Sequence, residues 1–274
     1  MAGFVVKLHV LFTVDRNIVI PPFSAKVSKL ILHRISRLYS RLSRSDKVLK
    51  PVSVSPLFKD GRALMKLRND EGMIMLEGGT SYYFSCGMIA ADDFLLDDLL
   101  SFESGCVDGV FGASAILKEM RVEVRRFDSF GFPKPGAVKL RFNSPTLIQL
   151  PTFGRFRKGR YIFFPIPSLI VGSLAELWNS SCGIEHIIKS PSYLAVYSNY
   201  ALMEADYSVK PVTVIYDDQR LVRGIMGWVL YDLRKCRNTK SLKRIMALLD
   251  YAQYVGVGKS RAAGFGQVSV NPIY

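Results

Sequence analysis

Gly256–Val268 reads GVGKSRAAGFGQV: a Gly-Val-Gly triplet, five residues, then Gly-Phe-Gly. Before it, SLKRIMALLDYAQYVG has the apolar spacing of an amphipathic helix; after it, GQVSV alternates like a strand. The stretch is therefore a glycine-rich turn from a helix into a final strand. The Gly258-Lys259-Ser260 triplet invites a P-loop reading, which fails twice. The first glycine of that pattern would fall on Gln253, and a P-loop runs from strand to helix, not helix to strand. Two readings remain from the residues. Glycines permit positive φ and let a ligand backbone approach N–H groups flanked by Lys259 and Arg261, or they simply make a tight turn.

Working outward, the C-terminal part carries the elements of one domain. Ala137–Ile148 (AVKLRFNSPTLI) reads as a strand, and Pro167 opens a helix, PSLIVGSLAELWNSS. Strands follow in YLAVYSNYALME and in a hairpin, PVTVIYDDQRLVRGIMGWVLYDL, turning at Asp217-Asp218. The N-terminal part has the same order. FVVKLHVLF (4–12) is a strand with Val6, Leu8 and Val10 on one side. Ser24 sits as N-cap of a helix, SAKVSKLILHRISRLYSRLSR. Short strands run through PVSVSPLF, ALMKLR, MIMLEGG and TSYYFSCGMI; an acidic helix, ADDFLLDDLLSF, and strands near VFGAS and EMRVEVRRF complete it. Asp128–Gly136 (DSFGFPKPG) is a Gly/Pro-rich linker. The expected fold is α+β, two tandem ferredoxin-like (RRM-like) βαββαβ domains, 1–127 and 137–274, joined by 128–136.

The composition narrows the function. Of 274 residues 49% are hydrophobic, yet 37 Lys and Arg face 23 Asp and Glu, for a net charge of +14. Such an excess suits a polyanion, whose phosphates exchange condensed counterions for Lys and Arg. No apolar run approaches a membrane span, and the N-terminus does not read as a secretion signal. Cys86, Cys106, Cys182 and Cys236 are scattered, which fits a reducing cytoplasm and no zinc ribbon. With three histidines (His9, His33, His186), and with acidic pairs that read as surface or turn residues, no metal and no cofactor are assigned.

The helix after Ser24 concentrates the charge. Lys26, Lys29, His33, Arg37, Arg41 and Arg44 recur every three or four residues along one face. A solvated face usually mixes signs; this one repels itself, and a bound polyanion relieves the repulsion. His33 lies on this face, where neighbouring cations favour its neutral form. Arg155, Arg157, Lys158 and Arg160 alternate with Phe153, Phe156, Tyr161 and Phe163, a pattern that suits single-stranded RNA but equally a basic loop with an apolar anchor.

With these residues in place, the Gly-hydrophobic-Gly repeat before the last strand resembles the signature of the repeat-associated RNA-binding superfamily of CRISPR proteins. SAKVSKLI, LKP (49–51), RFNSPTL (141–147), PVTV (211–214) and RGIMGW (223–228) resemble archaeal members of the CRISPR repeat-RNA processing endoribonuclease family. The resemblance implies RNA bound in the cleft between the domains and along the basic face, and cut without a metal. The RNA's own 2′-hydroxyl would attack, leaving a 2′,3′-cyclic phosphate and a 5′-hydroxyl. Carried over by motif, Lys26, Lys29 and Lys50 are the cut-site residues, with His33 after them, since many relatives hold a histidine in or just after this helix. Arg223, Lys259 and Arg261, with Arg37, Arg41, Arg155 and Arg157, would bind RNA, as would the loop residues Gly256, Gly258, Ser260, Gly264 and Gly266. The partners implied are CRISPR repeat RNA, a CRISPR effector complex and a second copy of the chain. The rival reading is a non-catalytic RNA-binding subunit of such a complex; a general basic RNA-binding protein is the third.

Overall fold

The computed structural model describes residues 3–46, 48–90, 105–151, 159–237 and 239–274. Strand β1 (Phe4–Val14) buries Val6, Leu8, Val10 and Phe12 completely or nearly so, the period-2 pattern of a strand with one face on the core. A short strand β2 (Ile18–Ile20) leads to helices α1 (Ala25–Ile35) and α2 (Arg37–Ser43). Strands β3 (Val52–Val54), β4 (Phe58–Lys59), β5 (Arg62–Ala63), β6 (Ile74–Leu76), β7 (Tyr82–Ala90), β8 (Cys106–Val110) and β9 (Ala113–Arg126) follow. The sheet runs β5-β4-β7-β1-β9-β8, with β3 also on β7, while β2 and β6 pair separately. The first strand, β1, lies between β7 and β9, as the first strand of a ferredoxin-like sheet lies between its third and fourth.

The second sheet holds β10 (Ala137–Thr146), β13 (Met203–Asp217), β14 (Arg220–Asp232) and β15 (Val268–Ile273), in the order β13-β14-β10-β15. Between β10 and β13 come a small ladder of β11 (Ile148–Gln149) with β12 (Tyr161–Ile162), then helices α3 (Pro167–Asn179) and α4 (Pro191–Ala201). Helix α5 (Lys240–Val255), capped by the Thr239 side chain, leads into the glycine-rich turn and β15. The first strand is again central, so both halves are ferredoxin-like.

Three expectations need correction. The strand expected in YLAVYSNYALME is mostly helix α4: Pro191 is preset for a first helical turn, and Leu194, Ser198 and Ala201 are buried at helical spacing, which outweighs the β preference of the tyrosines. The second half thus has two helices after its first strand. The long basic helix is broken at Ser36, whose backbone is extended (φ −137°, ψ 110°) and whose side chain accepts the Tyr39 N–H to start α2. Ser24 does not cap through its side chain; its hydroxyl donates to Leu64 O (2.5 Å) and accepts the Leu57 N–H. The acidic helix expected around 91–102 lies outside the described residues.

The segment expected as a linker is packed. Phe127 and Phe130 join the second core, and Asp250 accepts the Gly131 N–H while pairing with Arg125 at 2.8 Å. The halves meet again where Leu67 bridges Val214 and Arg68 donates to Thr213 O. A small core of Phe23, Ala25, Leu147, Val214 and Phe265 fills this second junction. Among the described residues no helix is long and apolar enough to cross a membrane.

Candidate active site

The glycine-rich turn is anchored from both sides. The Lys259 N–H donates to Leu147 O, and Gly266 N–H to Pro145 O, tying the turn to the end of β10. Phe265 stacks on Phe23 (centroids 4.8 Å apart, 15° between planes), just before α1. All four glycines, 256, 258, 264 and 266, have positive φ. At Gly264 (φ 107°) a side chain would also collide with the Ala25 methyl and the Phe23 ring, and at Gly258 with Leu147 O. The turn therefore packs directly on the first turn of α1. Its glycines serve close approach of backbone to protein, and Lys259 and Ser260 are left exposed at its tip.

Arg261 does not face solvent. It is 8% exposed, and its guanidinium donates to Val255 O (2.8 Å) and to Lys50 O (3.2 Å). The expectation of a phosphate contact is corrected: the guanidinium is buried and turned inward onto two carbonyls, one of which holds the backbone at Lys50. Lys50 in turn reaches with Nζ to Ser43 O, at the end of α2 (2.9 Å).

Three segments thus converge: α1, the Lys50 strand entry and the glycine-rich turn. Lys29 is half-buried; burial, then the charges of Lys50 and Lys26, hold its pKa below the ordinary 10.5. Lys26 Nζ lies over the Tyr216 ring, 5.2 Å from its centroid, beside the Asp217–Arg220 pair. The His33 ring stands edge-on to Tyr39, with Nδ1 3.2 Å from Ser40 Oγ. Burial, then Lys29 and Arg44, depress its pKa below 6.5, so the imidazole is neutral at pH 7. The Ser40 hydroxyl donates to His33 O (3.3 Å), so it accepts from Nδ1–H and leaves the Nε2 lone pair open, the tautomer of a base.

The structure brings Lys26, Lys29, His33 and Lys50 into one electrostatic cluster, with Lys259 on the neighbouring turn. Arg37 and Arg41 are exposed on α2, beyond the Ser36 break, so helical register does not extend the α1 row to them. Arg223 lies on β14 with its guanidinium over the Phe163 ring (4.6 Å). Arg155 and Arg157 lie outside the described residues. Sequence reasoning missed Ser40 and Tyr216 as neighbours of the site, while Arg44, which it placed on the basic face, does act on His33. The other two histidines lie apart from this cluster, His9 3.8 Å from Glu123 and His186 3.6 Å from Glu185. Among the described residues no three His, Cys, Asp or Glu side chains cluster as metal ligands.

Two family models cover nearly the whole chain: "Cas6 N-terminal domain" matches residues 6–123 and "CRISPR-associated endoribonuclease Cas6" residues 140–268. A CRISPR-associated endoribonuclease Cas6 of Saccharolobus solfataricus is 24% identical over 275 residues, covering 93% of this chain and 92% of that protein. Among solved structures, a Thermus thermophilus Cas6 superposes with a TM-score of 0.66 at 17% identity, covering 99% of this chain and 100% of the other. A Cas6 product complex gives 0.66 at 18% identity, covering 98% and 99%.

Proposed function

The chain belongs to the CRISPR-associated endoribonuclease Cas6 family, and from that premise we propose that the Lys26, Lys29, His33, Lys50 cluster cuts CRISPR repeat RNA with the RNA's own 2′-hydroxyl as nucleophile. The observation that carries the assignment is the position of half-buried Lys29 between two further lysines and next to a neutral histidine on the same helix.

The chemistry divides among these groups. His33 Nε2 takes the 2′-hydroxyl proton as the oxygen attacks phosphorus. Lys26 and Lys50 stabilise the extra negative charge of the phosphorane. The P–O5′ bond breaks, and Lys29, whose depressed pKa makes it a better acid than an ordinary lysine, gives a proton to the departing 5′-oxygen. The products are a 2′,3′-cyclic phosphate and a 5′-hydroxyl, with the protons balanced between acid and base. The nucleophile resides in the substrate, so the step calls for alignment and charge rather than an activated water. Lys259 and Ser260, exposed on the turn beside Lys50, bind the flanking phosphate, and Arg223 and Arg41 serve the strand further out.

The test is cleavage of a repeat RNA by excess protein in EDTA, beside the same RNA with a single 2′-deoxy nucleotide at the cut. Cleavage of the first and bare binding of the second is the expected result. Binding of both with cleavage of neither would instead make the chain a non-catalytic RNA-binding subunit of a CRISPR complex.

A further inference from the structure

Lys26 and Lys29 sit on the first turns of α1, and Lys50 enters from another segment. After burial, the charges of Lys50 and Lys26 are what lower the Lys29 pKa, so the three side chains stand close enough to repel one another. A lysine is a point charge on a flexible four-carbon stem. Repulsion drives such a stem out into water, away from the place where a phosphate has to meet it. Lys26 is nevertheless folded back: its Nζ lies 5.2 Å from the centroid of the Tyr216 ring.

Tyr216 comes from the other half of the chain. It is the last residue but one of β13, and the backbone just before it is pinned to the N-terminal half. The Ile215 N–H donates to Lys66 O (3.0 Å), and the Arg68 N–H donates to Thr213 O (2.8 Å). The ring itself is clamped. Phe23, just before α1, lies 5.6 Å from it, Phe265 of the glycine-rich turn lies 5.9 Å from it, and these two stack on each other. A clamped ring offers a fixed negative face to a cation. Asp217, the next residue, is also within electrostatic reach: the Arg220 hydrogen bond, and last among the causes the Lys26 charge, hold its carboxyl below the ordinary 3.8. Arg220 shares the same ring at 4.9 Å, but its Nε is tied to Asp217 Oδ2 (2.8 Å).

We propose, building on the nuclease reading above, that Tyr216 is a positioning residue for the cut: its ring holds Lys26 Nζ beside Lys29 and Lys50 before RNA arrives. The C-terminal half thereby completes a site whose four reacting side chains all lie in the N-terminal half. A group already in place when the phosphorane forms needs no reorganisation at that moment. The ring acts through Lys26 and not on the RNA, and its worth is that of one cation–π contact, about 2- to 30-fold in rate.

The experiment replaces Tyr216 in the full chain by leucine (Tyr216→Leu), by phenylalanine (Tyr216→Phe), and by phenylalanines carrying one, two and three ring fluorines, each in the natural background and with Lys26→Met. Fluorine withdraws electrons from the ring face while nearly keeping the ring's shape, so packing on Phe23 and Phe265 is held while the attraction for a cation is weakened. Single-turnover cleavage of a CRISPR repeat RNA by excess protein is measured for each, beside the dissociation constant of the same RNA with a 2′-deoxy nucleotide at the cut. Tyr216→Phe should cut at close to the natural rate. Each added fluorine should slow cleavage further, towards the about 2- to 30-fold loss of Tyr216→Leu, with affinity unchanged. With Lys26→Met the series should be flat. A flat series in the natural background, or a trend that survives Lys26→Met, would overturn the inference. So would a loss of affinity as large as the loss of rate, since the ring would then meet the RNA itself. The nuclease reading fails separately, on all-ribose RNA that the natural chain leaves whole. The contact is read without cleavage from the Lys26 ε-methylene NMR signal, identified by its absence in Lys26→Met. The ring should shift it upfield in the natural chain and release it in Tyr216→Leu; an unshifted signal overturns the inference whichever way the nuclease test falls.

Discussion

His33 and Ser40 are seven residues apart, yet the imidazole Nδ1 lies 3.2 Å from the Ser40 hydroxyl. On an unbroken helix, residues seven apart are about two turns, or roughly 10 Å, apart along the axis. The extended backbone at Ser36 ends α1 and lets α2 fold back, so Ser40 meets the ring and fixes its tautomer. Ser40→Ala should therefore slow cleavage by about 2- to 12-fold, the worth of one neutral hydrogen bond, with RNA affinity unchanged. In a His33→Ala background the same substitution should do nothing further. Single-turnover rates of the four proteins decide the matter; additive losses would mean that Ser40 acts elsewhere.

Lys29 and His33 are needed in opposite protonation states, and both pKa values are pulled down by burial. The base form of His33 is reached as pH rises through a value below 6.5, and the acid form of Lys29 is lost as pH rises through a value below 10.5. Cleavage should then follow a bell, rising on the acid side with His33 and falling on the alkaline side with Lys29. His33→Ala should flatten the acid limb. Lys29→Ala should slow the reaction by about 10²- to 10⁴-fold, the range for a lost general acid, and abolish the alkaline limb while binding changes far less. A bell that survives both substitutions would assign the two ionisations to other groups.

Much of this arrangement is legible in the chain. The alternation of Val6, Leu8 and Val10 places β1 correctly, and Pro167 marks the start of α3, because single-face burial and a preset φ are local properties. What escapes is decided by long-range packing. Leu194, Ser198 and Ala201 show a helical face only once their buried surroundings are known. The Ser36 break leaves the apolar spacing of the basic segment nearly intact, so periodicity passes over it. Arg261 reads as an exposed cation beside Lys259, since two residues of separation in a glycine-rich turn do not reveal which one points inward. Only the carbonyls of Val255 and Lys50, one of them distant in sequence, settle that.

Gly264 carries the contact between the turn and α1. With φ at 107° and the Ala25 methyl in the way, Gly264→Ala should cost stability through both backbone strain and overpacking, together on the order of 2–5 kcal/mol. Thermal melting should show a drop of several degrees. Gly61 also has positive φ but open space around it, so Gly61→Ala should cost clearly less. Equal melting points for the two variants would mean that the turn has room to shift off α1.

Lys259 and Arg261 stand two residues apart and should fail in different ways. Lys259 is exposed beside the cut site, and its loss should weaken RNA binding across all sequences. The salt slope of log K should fall by about one contact, some 0.7 for single-stranded RNA, with the melting temperature held. Arg261→Ala removes a buried cation that holds Val255 O and Lys50 O, leaving both carbonyls short of a donor. Its loss should cost on the order of 1.5–3 kcal/mol of stability for each charged hydrogen bond. With Lys50 released, cleavage should slow more than binding weakens, and the salt slope should stay where it was. The opposite pattern, a reduced slope with full stability for Arg261→Ala, would mean that its guanidinium swings out to the RNA and that its burial is a property of the free protein alone.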